Sequence, residues 1–205
     1  MFTSCCHTGR ECSDGLLLLL NENIPDYFDV YFNGWDRTNS ISLSGVGIHH
    51  PGGDVKKIST YGNHLPSSAT WLNSDSNKEG AQNAHWNIIF DETSNGHSVT
   101  EGGSSGSPIF NQNKLIIGTL SGGNSTCDNP EGINLYGKLF YHWDKYSQAD
   151  TGRMDKWLDP IGSGVTSLNG MSQSGKEYNT SLQKPTEVKA TLSLDNTIKI
   201  SWKEP

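Results

Sequence analysis

Residues 101–108 read Glu101-Gly102-Gly103-Ser104-Ser105-Gly106-Ser107-Pro108, a run of small residues closed by a proline and followed by Ile109-Phe110. Glycines free the backbone for tight, positive-φ turns and let a carbonyl approach main-chain N–H groups closely. A serine held in such a turn is placed to attack that carbonyl. A plain glycine-serine turn between two strands has the same composition, so the surroundings decide. After Ile109-Phe110 come polar Asn111-Gln112-Asn113 and then Lys114-Leu115-Ile116-Ile117-Gly118-Thr119-Leu120. That pattern reads as a β-hairpin.

The hexad Gly103-Ser104-Ser105-Gly106-Ser107-Pro108 resembles the nucleophile loop of chymotrypsin-like serine peptidases, whose third residue is the nucleophile. The resemblance implies Ser105 as nucleophile and the amides of Gly103 and Ser105 as the oxyanion hole. Each such donor contributes roughly 3 to 4 kcal/mol to a transition state. Gly102 to Gly106 also fits the G-x-S-x-G elbow of α/β-hydrolases with Ser104 as nucleophile. That elbow opens a helix, and the hairpin downstream argues against it.

The chain has 205 residues, enough for one ordinary domain or one domain plus a fragment. It is 33% hydrophobic and 18% charged with 23 Gly and 6 Trp, which favours short strands and long polar loops, an all-β protein. A net charge of -7 without any basic run argues against nucleic acid as a partner. The longest apolar run, Leu16 to Leu20, is too short for a membrane span or a signal-peptide core. Cys5, Cys6, Cys12 and Cys127 match no paired zinc spacing, so a disulfide role is expected and a metal site is not.

Moving outward, residues 1–13 carry no periodicity and stay unassigned. Ser13-Asp14-Gly15 reads as a turn feeding a strand at Leu16–Leu20 that is buried on both faces, with Asp14 at its mouth. Tyr27 to Arg37 reads as a strand with mixed aromatic faces, and Val46 to His50 as another. His49 and His50, neighbours on a strand, point to opposite faces and are not expected to chelate one ion. His64, His85, His97 and His142 are scattered and read as surface or packing residues.

Taken in order, Ser13-Asp14 before the leucine run, Gly34-Trp35-Asp36-Arg37, Ile48-His49-His50-Pro51, Lys56-Lys57-Ile58-Ser59 and Thr100 to Pro108 resemble bacterial lysyl endopeptidases. The resemblance continues through Leu120-Ser121-Gly122-Gly123 with Cys127, Tyr136-Gly137-Lys138 and Trp157-Leu158-Asp159-Pro160. It implies an all-β, chymotrypsin-like double β-barrel with a short C-terminal helix, the first barrel being incomplete here. By the same resemblance Asp14 and Ser105 match two members of the triad. Trp71, Ser121, Gly122, Gly123 and Asn134 fall at substrate-binding positions. Asn134 stands where the family has an aspartate, and Ser121 where it has a histidine. Val99, six before Ser105, rules out a trypsin-type pocket acid. Strict lysine preference is therefore not expected, and Asn134→Asp is expected to raise it.

Thr151 to Asp159 reads as a short helix that ends a peptidase domain spanning residues 14–170. Residues 171–184, rich in Ser, Gly, Asn and Gln, read as a linker. In 185–205, Pro185 to Leu192 and Thr197 to Trp202 alternate with period two around Asp195-Asn196 and resemble the first two strands of a fibronectin type III module.

A serine triad also needs a histidine to take the hydroxyl proton. The resembling family places it several tens of residues before the aspartate, whereas His7 is only seven before Asp14. The expectation is a fragment, inactive alone, of a secreted serine endopeptidase that acts on proteins or peptides without a cofactor. The partner of Cys127 is expected in the missing part. The rival reading is a non-catalytic peptidase-like module that binds its partner through the cleft.

Overall fold

The computed structural model describes residues 2–4, 13–72, 80–145, 150–175, 186–192 and 198–203. Cys5, Cys6, His7, Cys12, residues 176–184 of the linker and the Asp195-Asn196 turn lie outside them.

At the start β1 (Phe2–Ser4) pairs antiparallel with β2 (Gly15–Leu17). Two short strands follow, β3 (Tyr31–Phe32) and β4 (Trp35–Asp36). The body is made of β5 (Gly45–His49), β6 (Lys57–Tyr61), β7 (Ser67–Ala69) and β8 (His85–Ile88), then a small hairpin of β9 (Glu92–Thr93) and β10 (Gly96–His97). β11 (Pro108–Asn111), β12 (Ile116–Gly123) and β13 (Asn134–Lys138) complete it. The helices α1 (Leu139–Asp144) and α2 (Asp155–Leu158) precede β14 (Ser167–Leu168) and β15 (Met171–Ser172). Last come β16 (Thr186–Leu192) and β17 (Ile198–Lys203), an antiparallel pair at the two segments read as strands.

The fold is thus mostly β with few helices. Its main sheet is open and runs β6-β5-β11-β12-β13-β8-β7, with β4 pairing β12 off this path and β14 pairing β4. The chain just after β8 reaches back to the far edge, where Asp91 N–H donates to Thr60 O at 2.8 Å. The β11–β12 hairpin forms where the sequence placed it, because Asn111 closes the turn. Its Oδ1 accepts from the amides of Asn113 and Leu115, and Lys114 takes φ 62°.

Tyr61, Trp86, Ile88, Phe90, Ile109, Ile117, Leu120 and Tyr136 form one core. Each large side chain buried there is worth roughly 1.5 to 3 kcal/mol. A second cluster joins Trp35 to Leu139 and Trp143 of α1, with Met154 and Leu158 packed on it. The first core sits under β8, β11, β12 and β13, the strands that flank the loop of residues 100–108.

Three local expectations need correction. Leu16–Leu20 is not a strand buried on both faces: β2 stops at Leu17, and Leu18, Leu19 and Leu20 are exposed. Tyr27 to Arg37 breaks into a 3-10 turn at Asp26–Phe28 and two two-residue strands, because Asp29 adopts φ 43° and turns the chain. The helix at Thr151–Asp159 is a 3-10 turn at Asp150–Gly152 followed by α2. Met171 and Ser172, at the start of the stretch read as a linker, pair with β3.

Candidate active site

The loop from Thr100 to Pro108 is tied down along its length. At its start Thr100 N–H donates to Ser125 Oγ at 3.1 Å, and the Thr100 hydroxyl donates to Asn134 Oδ1 at 2.6 Å. In the middle Gly102 O accepts from Gly52 N–H at 2.8 Å. At its end Gly106 N–H donates to Leu120 O and Leu120 N–H donates to Ser107 O, at 2.8 and 2.9 Å. Gly103 takes φ 99° and Gly106 φ 79°, conformations that a side chain rarely tolerates. A methyl on Gly103 would also sit 3.0 Å from His50 O.

Within this loop the two adjacent serines part company. Ser104 is fully buried, with its Oγ 2.9 Å from His49 Nδ1, and Ser105 is exposed. The amides divide in the same way. Ser104 N–H donates to Glu101 O, Gly106 N–H to Leu120 O and Ser107 N–H to Ser104 O. Those of Gly103 and Ser105 meet no acceptor among the described residues. An exposed hydroxyl beside two unpaired donors can place a carbonyl carbon and its oxygen at one spot.

His49 does not face Ser105. Its ring is buried and runs from Ser104 to Ser59, with Nε2 2.8 Å from Ser59 Oγ. Burial, and then the neighbouring His50, hold its pKa below the usual imidazole range. His50 is exposed, so the pair does point to opposite faces as expected. Ser105 has no hydrogen-bonded base among the described residues.

Asp14 is exposed immediately before β2, in a left-handed conformation with φ 57°. Its neighbours anchor it. Ser13 is fully buried with Oγ 2.6 Å from His142 Nδ1, and a methyl on Gly15 would meet the same ring at 2.6 Å. His142 in turn lies against Gly137 of β13. Burial, with His85 next, lowers the His142 pKa to about 4. No hydrogen bond joins Asp14 to Ser105 among the described residues.

The five residues expected on the substrate side lie together. Trp71 covers Gly122, where a methyl would come within 2.7 Å of the indole, and its ring centroid lies 6.1 Å from that of His85. His85 Nε2 is 3.1 Å from Ser121 Oγ, and burial, then Lys138, lowers its pKa to about 4. Gly123 is opposite Asn134 in the β12–β13 ladder. Asn134 is fully buried: its Oδ1 accepts from Thr100 and Ser125 hydroxyls at 2.6 Å each, and its Nδ2 donates to Ile88 O and Gly132 O at 3.2 and 3.4 Å. Ser125 went unremarked in the sequence, and Thr100 and Ser59 stood inside motifs without a role of their own, since isolated hydroxyl residues carry no spacing signal.

Among the described residues no helix is long and apolar enough to cross a membrane. The model of the lysyl endopeptidase C-terminal domain family matches residues 3–137. Among solved structures, an inactive-form crystal structure of Rv3671c from M. tuberculosis H37Rv is similar at 16% identity and a TM-score of 0.33, over 48% of this chain. The chain spans 43% of the length of that protein.

Proposed function

This chain belongs to the lysyl endopeptidase C-terminal domain family, and from that premise we propose that it carries the nucleophile half of a secreted serine endopeptidase, with Ser105 as the attacking residue. One observation carries the reading: Ser105 alone of the adjacent pair is exposed, and the unpaired amides flanking it are those of Gly103 and Ser105. Ser105 Oγ attacks the scissile carbonyl carbon and gives its proton to a histidine supplied from outside these 205 residues. The carbonyl oxygen becomes an oxyanion facing the two amides. Collapse breaks the C–N bond, the histidine proton leaves with the amine, and water releases the acyl group. Asp14, held outward by the Ser13 and Gly15 contacts to His142, orients that histidine.

Trp71, Ser121, Gly122 and Gly123 line the substrate side, and Asn134, buried next to them, holds a neutral amide where the family's acid would stand. The C-terminal strand pair β16–β17 is the start of a fibronectin type III module appended to the peptidase.

A fluorophosphonate probe applied to the full-length protein tests the central assignment. Wild type and Ser104→Ala become labelled and Ser105→Ala does not. Labelling that survives Ser105→Ala removes Ser105 from the reaction, and a wild type that never reacts leaves the non-catalytic binding module in its place.

A further inference from the structure

His49, Ser59 and Ser104 form a buried polar chain beside the exposed Ser105, with the main-chain amide of the exposed Glu101 at its end. Ser104 and Ser59 are each 0% exposed and His49 2%. The imidazole spans the two hydroxyls, 2.9 Å from Ser104 and 2.8 Å from Ser59, and the Glu101 amide reaches Ser104 Oγ at 3.4 Å. His49 belongs to β5, which pairs with both β6 and β11, so the ring is fixed by the main sheet rather than by a loop. Its ring stacks at 7° on Phe90, centroids 6.3 Å apart. A hydroxyl buried without a partner costs about 1 to 3 kcal/mol. If the imidazole were gone, Ser104 would keep only the long contact to Glu101 and would gain by turning outward to water. Such a turn at Ser104 rotates the peptides on either side of it, including the amide of Ser105.

We propose that His49 is a positioning residue of the nucleophile loop: by holding Ser104 inward it sets Ser105 outward and keeps the Gly103 and Ser105 amides free of acceptors within the loop. The proposal rests on Ser105 being the nucleophile. Ser59 completes the chain from β6 by engaging the other ring nitrogen, and in the neutral imidazole one nitrogen donates while the other accepts. Burial keeps His49 in that neutral form. Two adjacent serines of equal chemistry thereby acquire different roles, one structural and one reactive.

The test compares His49→Phe, His49→Gln, Ser104→Ala and Ser59→Ala in the full-length protein, reading kcat and KM on peptides together with Tm. A nucleophile misplaced by about 1 Å loses roughly a hundredfold in rate. His49→Phe is therefore expected to lower kcat at least about tenfold with KM nearly unchanged, and His49→Gln, which can still bridge the hydroxyls, to recover part of it. Ser104→Ala, which removes the inward hydroxyl, should fall between them, and Ser59→Ala, which releases one ring nitrogen and leaves the other on Ser104, should lower kcat less than His49→Phe. Variants that lose Tm in step but keep kcat would make His49 a packing residue and overturn the proposal. A second readout needs no turnover: the Gly103 and Ser105 amide resonances should move in His49→Phe, and move less in Ser59→Ala. Amides that do not move in His49→Phe also overturn it. A wild type that never labels at Ser105 instead strikes the nucleophile assignment, and the resonances then still judge the loop contact.

Discussion

Asn134 uses its whole hydrogen-bonding capacity inside the protein, two acceptances from hydroxyls and two donations to carbonyls. The carbonyls of Ile88 and Gly132 fix which end of the amide is nitrogen, since an oxygen turned toward them would be repelled. A carboxylate at this position would keep the Thr100 and Ser125 bonds but set its second oxygen against those two carbonyls. An uncompensated buried charge costs about 3 to 5 kcal/mol, here offset in part by the two hydroxyls. Asn134→Asp is thus expected to lower Tm at pH 7. The new carboxyl titrates above its unfolded value, so the loss appears as pH rises past about 4 and shrinks again on acidification. A peptide with lysine at the cleaved position should restore more Tm to the aspartate variant than it adds to wild type, because only the variant offers it a counter-charge. An aspartate variant as stable as wild type at pH 7 would mean that the carboxylate has found other donors. The residue-scale pattern was partly legible beforehand. The loop motif singled out Ser105, the exposed member of the serine pair, but the hydrogen-bond partners of Asn134 lie 2 to 46 positions away and have no signature in the chain.

At the scale of elements, the sequence was most readable where turn chemistry is explicit. The β11–β12 hairpin lies where Asn111-Gln112-Asn113 predicted a turn, and β16 and β17 where alternation predicted strands. It misled where apolar content stood in for burial. Five consecutive leucines met the pattern of an inner strand, yet only Leu16 and Leu17 pair, and three of the five leave the sheet entirely. It was silent on α1, a six-residue helix whose Leu139, His142 and Trp143 are buried but whose length is too short to display a period. Yet α1 bears on the role proposed for Asp14, because His142 contacts the residues on both sides of it. Gly15 lies so near that ring that any side chain there collides with it, the nearest ring atoms being 2.6 to 2.9 Å from an added methyl. Overpacking of this kind costs typically about 1 to 3 kcal/mol. Gly15→Ala is expected to lower Tm and, if Asp14 orients the histidine, to lower kcat as well. Gly53→Ala, where a methyl meets nothing but φ is 73°, serves as the control for a purely conformational loss. Equal Tm losses with unchanged kcat in both would detach His142 from Asp14.

For the whole molecule, the buried bases give stability a particular dependence on pH. His85 and His142 are held neutral by burial with pKa values near 4, against about 6.5 in the unfolded chain. Between those values the unfolded chain binds protons that the folded one refuses. Stability therefore falls as pH drops from about 6.5 toward 4, with a slope approaching two protons. Lys138 acts at the other end. It is 1% exposed, has no carboxylate partner among the described residues, and donates to Asn39 Oδ1 and Ser68 Oγ with its Nζ 4.0 Å from the centre of the Trp86 ring. Burial lowers its pKa to about 8. From about pH 8 upward the folded protein sheds this proton while the unfolded chain keeps it to about 10.4, so stability rises with pH. Tyr61 and Tyr136, whose buried hydroxyls resist ionisation, reverse that trend once the unfolded phenols ionise near pH 10. Replacing a buried charge by an apolar side chain of similar volume is often neutral or stabilising. Asn39 and Ser68 are exposed and can turn to water when the ammonium is gone. Lys138→Met is accordingly expected to match or exceed wild-type Tm at pH 7 and to abolish the rise between pH 8 and 10. Thermal melts at pH 7, 8 and 9.5 on both proteins decide it: a Lys138→Met protein several degrees less stable at pH 7 would mean that the cation over Trp86 and its two hydrogen bonds outweigh the cost of its burial.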